Sequence, residues 1–212
     1  METLTYHREK VYDPVLRILH AWNALAILLL ILSVWLEDLA GEIVDEDVIW
    51  QFHIFLGYGL TLGLIARIVW GLVGPSHARF SDMWHPAAWW RAIRNFNFHS
   101  QPRLGHDVLA SAAHLVVYGL LLVMAVTGLG LAAAEFNTGP FHFWFADVAW
   151  NEDWFEEPHE LIYNLLMLFV LVHIAALIWH ECKDKTPLAQ AMVSGYKYLP
   201  KEPGKLDDNI AS

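Results

Sequence analysis

Histidines set inside apolar runs are the residues here best placed to do chemistry. In the stretch Glu157 to Glu181, EPHELIYNLLMLFVLVHIAALIWHE, thirteen residues separate His159 from His173, and only Glu160 among them is charged and only Asn164 an amide. On a helix this offset is just under four turns, so the two imidazoles share nearly one face and stand about 21 Å apart along the axis. A neutral imidazole offers a lone pair to a metal. In a soluble helix a lone histidine is ordinarily a core residue bonded to a neighbouring carbonyl. In lipid an ionisable side chain is costly and is by default functional, and two on one face need a common reason.

The rest of the chain explains why lipid is the right solvent. Of the 212 residues 56% are hydrophobic, with a mean hydropathy of +0.35, and they gather into long runs instead of amphipathic stripes. Four runs are long enough to cross about 30 Å of hydrocarbon: Val15–Leu36, Ile49–Val73, Val108–Ala134 and Glu157–Trp179. The first is full-length and lacks a small-residue cleavage site, so no signal peptide is expected. Lys and Arg occur up to Arg17, between Arg67 and Arg103, and from Lys183 onward, while Glu37–Phe52 and Glu135–Glu160 contain none. The positive-inside bias then puts both termini and the Ser76–Arg103 connection in the cytoplasm. Trp84–Phe98 is too short to span and carries Arg91 and Arg94 beside Trp84, Trp89 and Trp90, which suits a helix lying in the inner interface. The expected fold is all-α: an integral membrane four-helix bundle over residues 15–181, with a cytoplasmic arm (1–14), a cytoplasmic tail (182–212) and an interfacial helix. The lone Cys182 suggests neither a disulfide nor a thiolate metal site.

Depth sorts the buried histidines into pairs. His20 lies sixteen residues from Leu36 and His173 sixteen from Glu157, so both sit about 24 Å from the outer face. His53 lies just inside Trp50 and His159 just inside Glu157, near the outer face. Each pair joins two helices, which is how a bundle brings two imidazoles to opposite sides of one iron. Zinc competes for such residues but usually recruits four ligands including carboxylate or thiolate. Two isolated His–His pairs suit a planar macrocycle better. Gly57, Gly59, Gly128 and Gly130 leave room for a flat porphyrin or, with equal force, for close helix packing.

Four segments carry a family resemblance: DPVLRILHAWN in the first span, RIVWGLVGPSHARF after the second, LGHDVLASAAHLVVYGLLLVMAVTG in the third and HELIYNLLMLFVLVHIAALIWH in the fourth. With these the chain resembles bacterial cytochrome b561 and the b-type cytochrome subunits of membrane-bound nickel-iron hydrogenases. The resemblance implies two b haems ligated by His20, His53, His159 and His173. It also implies a place in the bacterial cytoplasmic membrane. The third span opens GHDVLA where hydrogenase-type members have a GHNPLG-like segment, and the outer loop from Glu135 to Glu156 is long and aromatic.

His114 and His180 are expected inward of the inner iron, where each could meet a haem propionate or a quinone carbonyl, or simply face water. Arg17, Arg67 and Arg79 offer guanidinium forks to propionates at that level, or act as snorkelling anchors. His7, His77, His85, His99, His106 and His142 lie in polar segments and carry little signal. No catalytic triad, phosphate loop or nucleic-acid patch is visible.

The expected function is therefore transmembrane electron transfer between an external redox protein, a c-type cytochrome or a hydrogenase, and the quinone pool. This reads as a carrier subunit more than a self-contained oxidoreductase. The alternative is a superoxide oxidase-like enzyme working alone, against which stands the lack of any outer Lys or Arg to draw in an anion. Glu37–Asp47 with Glu135–Glu160 hold thirteen acids and no base. Such a face would steer a basic partner, or reflect acidic surface composition alone. If it steers, raising ionic strength from low to physiological, where the Debye length is about 8 Å, should slow electron exchange with a basic cytochrome in stopped-flow measurements; a salt-independent rate would reduce the acidity to surface composition.

Overall fold

Uninterrupted apolar length makes four helices, and the polar punctuation between them sets where each begins and stops. The computed structural model describes residues 6–40, 43–95, 108–145, 153–184 and 188–200. In chain order these form strand β1 (Tyr6–Lys10) and helices α1 (Pro14–Ala40), α2 (Glu46–Val73), α3 (Pro86–Arg94), α4 (Val108–Ala134), α5 (His142–Phe145), α6 (Asp153–Asp184) and α7 (Leu188–Ser194), followed by strand β2 (Tyr196–Pro200). Two short 3-10 turns lie between α2 and α3. The four long helices are the ones apolar enough to cross a membrane. The protein is an all-α membrane four-helix bundle, with a single two-stranded sheet at one end.

Local chemistry explains the boundaries. Pro14 opens α1, where a missing N–H costs nothing, and the Leu16 N–H donates to Asp13 Oδ1 at 3.0 Å. Asp45 caps α2 by accepting from the Asp47 N–H at 3.1 Å, with Glu46 and Asp47 in the first turn, where the helix dipole favours acids. That helix stops at Gly74, just before Pro75. α6 starts at Asp153, one turn earlier than Glu157, and carries Pro158 in its second turn.

α1 packs on α2, α4 on α6, and α2 on α4. At mid-depth all four helices contribute to one apolar layer: Ala26, Leu60, Leu64, Leu121, Ile162 and Leu166. Gly63 lets α1 and α2 close, since a Cβ there would stand 2.1 Å from Asn23 Oδ1. Outward positions such as Leu25, Phe55, Leu62, Val116, Leu168 and Leu171 are exposed, as lipid-facing residues must be.

Arm and tail meet. β1 pairs antiparallel with β2, Lys10 opposite Tyr196, so the two ends of the chain lie on one side of the bundle. Arg17 fastens them: its Nε donates to the Met192 carbonyl at 3.2 Å and its Nη2 to the Val193 carbonyl, at the negative end of α7. Gly195, at φ +84°, lets the chain turn from α7 into β2, and a Cβ there would meet the Tyr12 carbonyl at 2.8 Å. α3 confirms a helix in the long connection, while Phe96–Phe98 lie outside the described residues. Charge-assisted hydrogen bonds contribute about 1.5–3 kcal/mol; with Arg17 only half-buried, Arg17→Ala should weaken the docking of the tail by about 1 kcal/mol. Limited proteolysis should then cut residues 188–200 several-fold faster with the four spans intact, and an unchanged cleavage rate would show that the clasp carries no stability.

Candidate functional site

Measured from the helix ends, with the end opposite the β1–β2 sheet called outer, eight polar residues of the bundle fall into two tiers. Seven residues from the outer end of α1 is Ser33, seven from that of α2 is His53, seven from that of α4 is Thr127, and six from that of α6 is His159. All four stand about 10 Å in. Twenty or twenty-one residues from the same ends are His20, Arg67, His114 and His173, about 30 Å in. Each tier takes one polar residue from each helix, and the apolar layer around Leu64 and Leu121 lies between them.

In the outer tier His53 and His159 lie within electrostatic range of each other. Their Nδ1 atoms are taken up by hydroxyls, His53 with Ser33 Oγ at 2.8 Å and His159 with Thr127 Oγ1 at 2.9 Å. Trp50 sets its ring edge-on to His53 with centroids 5.6 Å apart. Both histidines line a cavity of about 560 Å³ together with Gly57, Gly128, Tyr58 and Met124. That volume is within the range of small-molecule and cofactor sites. A Cβ on Gly57 would meet nothing within 4 Å, whereas one on Gly128 would stand 3.0 Å from His159 Cε1. The other two glycines serve packing: a Cβ on Gly130 would strike the Phe155 ring at 2.6 Å, and the Gly59 carbonyl accepts from Trp22 Nε1 at 2.9 Å.

In the inner tier His20 lies within electrostatic range of His173 and of His114. The His114 and His173 rings meet edge to face with centroids 6.2 Å apart. His114 is therefore level with the inner pair and not inward of it, a correction to the depth expected from sequence. The cause is the extra turn at the start of α6, which puts His173 as far from the outer end as His114. His114 Nδ1 donates to the Ala110 carbonyl at 2.6 Å, and Phe169 stacks on His173.

The three arginines separate. Arg67 is 3% exposed, with its Nε donating to the Tyr118 hydroxyl at 3.0 Å, its guanidinium over the Phe80 and Tyr118 rings, and its Nη1 buried with no partner. Arg17 is engaged by the tail, and Arg79, at the exposed end of α2, donates from Nε to the Gly74 carbonyl at 2.6 Å. His180 is exposed beyond the inner tier, and His99 and His106 lie outside the described residues. Sequence reasoning did not single out Ser33 and Thr127. Their signal was the thirteen-residue offset from His20 and His114, matching the fourteen-residue offset on the other two helices.

Comparison with known proteins identifies the architecture. A family model described as "Prokaryotic cytochrome b561" matches residues 11–195. The chain belongs to the prokaryotic cytochrome b561 family. A relative in Azotobacter chroococcum mcd 1, described as "Probable Ni/Fe-hydrogenase B-type cytochrome subunit", is 27% identical over 88% of this chain and 87% of its own length. Proteins of the same description from Azotobacter vinelandii and Bradyrhizobium diazoefficiens are 27% and 28% identical, over 88% and 87% of this chain and 87% and 84% of their own lengths. No solved structure matches the chain. The protein is a membrane b-type cytochrome of electron transfer, multi-pass in the inner membrane, and the family implies haem b.

The residues of this b561-family chain fit that group. Two imidazoles face one apolar cavity with their Nδ1 atoms occupied, which leaves each Nε2 for a metal. Among the described residues no group of three or more His, Cys, Asp or Glu could hold a bare ion. Gly57→Leu should fill part of the cavity from α2. Purified protein should then lose severalfold in the haem bound at this cavity, and full haem content would place the macrocycle elsewhere.

Proposed function

We propose that this cytochrome carries two b haems, an outer one between His53 and His159 and an inner one between His20 and His173. It would move electrons between an external redox partner and the membrane quinone pool. The observation that carries the reading is the pair of polar tiers, each with two histidines on different helices and separated by an apolar layer. A haem bound at each tier supplies a one-electron centre. The chain's own part is to hold the imidazoles, keep water from the mid-depth layer, and set the charge around each site.

The tiers are unlike in charge. The outer one is edged by Glu135, Glu156 and Glu160 and lies beneath the acid-rich loops, a surface suited to a basic c-type cytochrome; the relatives' name makes a hydrogenase the other candidate. The inner one contains Arg67, whose buried Nη1 suits a propionate carboxylate, and His114, whose ring stands edge to face with His173 at the level where a propionate or a quinone would be met. The positive-inside bias favours both termini, and so the β1–β2 sheet, in the cytoplasm. His180 is then a cytoplasmic-edge residue close enough to the inner site to serve the same exchange.

A pyridine haemochrome assay should give two haems per chain, and one would refute the pairing. His173→Ala should leave the outer haem reducible by an external donor while transfer to quinone fails. His159→Ala should keep quinone-linked reduction of the inner haem and lose exchange with the external partner. Each variant must first retain expression and one haem. The opposite asymmetry would invert the orientation and reassign the partners to the faces.

A further inference from the structure

The outer histidines are held by two hydroxyls matched in depth, burial and bonding role. Ser33 and Thr127 come from the two helices that supply no outer histidine, stand at the same depth, and are 3% and 6% exposed. Each hydroxyl proton is committed to its own helix: Ser33 Oγ donates to the Leu30 carbonyl at 2.7 Å, and Thr127 Oγ1 to the carbonyls of Val123 and Met124 at 2.9 and 3.1 Å. A hydroxyl has one proton and two lone pairs, so what each has left to offer an imidazole is an acceptor. The proton of each imidazole is therefore on Nδ1, and the lone pair is on Nε2.

We infer that Ser33 and Thr127 are a pair of positioning residues that fix the metal-binding tautomer and ring orientation of His53 and His159 and tune the outer haem's potential. The inference rests on the two-haem reading above and adds to it the groups that set the outer site. A hydrogen bond from Nδ1–H makes the imidazole a stronger donor to the metal, and loss of such outer-shell partners typically costs 10–100-fold in metal affinity. The stronger donor favours ferric over ferrous iron. Because the acceptors are neutral hydroxyls and not carboxylates, the imidazoles stay neutral, as befits a site in hydrocarbon. Among the described residues no hydroxyl is seen on His20 or His173 at the inner tier, where the fourfold set is completed by Arg67 and His114.

The test uses Thr127→Val, which keeps the shape and removes the acceptor, together with Ser33→Ala and the conservative Thr127→Ser. Redox titration of the full-length protein in membranes follows both haems, the outer one being identified as that lost in His159→Ala. Thr127→Val and Ser33→Ala should each raise the outer midpoint, by 59 mV for every tenfold differential weakening of the ferric form, and leave the inner midpoint unmoved. Thr127→Ser should restore the wild-type potential and the wild-type low-spin EPR signal of the outer haem. If Thr127→Val loses the outer haem altogether while Thr127→Ser retains it, the positioning role stands, and Ser33→Ala supplies the potential shift. Two haems with unmoved midpoints in both Thr127→Val and Ser33→Ala would overturn this inference alone. One haem per chain in the wild type would overturn the ligand assignment and this inference with it.

Discussion

A polar side chain in hydrocarbon has no water to fall back on, and leaving it without a partner costs several kcal/mol. That constraint organises the whole bundle. Eight polar side chains gather at two levels, and the apolar core of Ala26, Leu60, Leu64, Leu121, Ile162 and Leu166 lies between them. On α2 and α6 the device repeats after fourteen residues, just under four turns, so one helix face serves both levels, while on α1 and α4 it repeats after thirteen, about 3.6 turns. The helices need not bend or break to do so.

The two levels are built for different chemistry by the same geometry. Where the outer level has a hydroxyl on α1 and on α4, each spent on its own helix carbonyl and on one imidazole, the inner level has a cation on α2 and a third imidazole on α4. The outer groups are mutually satisfied within the protein. The inner ones are not: Arg67 Nη1 is buried without a partner. An outer site edged by Glu135, Glu156 and Glu160 and an inner one holding a buried cation thus differ in charge within one bundle.

Much of this was legible before any coordinates, because in lipid the sequence pattern is unusually constrained. Span number, the Pro14 start of α1, the helix after Trp84 and the sorting of His20, His53, His159 and His173 by depth all followed from apolar length and rise per residue. What was missed had definite physical causes. Counting from Glu157 ignored the turn that Asp153 and Glu156 begin beyond the hydrocarbon, where acids suit a helix N-terminus, and so misplaced His114 relative to His173. The glycines could not be divided in advance between cavity and packing, because that depends on whether Phe155 or open space faces them. Ser33 and Thr127 went unread because a hydroxyl bonded back to its own helix is unremarkable until a neighbouring helix supplies the imidazole.

The small sheet at the end of the bundle has a consequence for how the chain is made. β1 leaves the ribosome before the four spans and β2 after them. Their pairing is the longest-range contact among the described residues, and closing so large a loop comes late because its entropy cost falls due before the contact gives anything back. Until α6 has crossed the membrane and α7 has formed, Arg17 has no carbonyls of Met192 and Val193 to hold. The strand pair is thus a completion mark, present only on chains whose four helices have all been inserted with the right polarity.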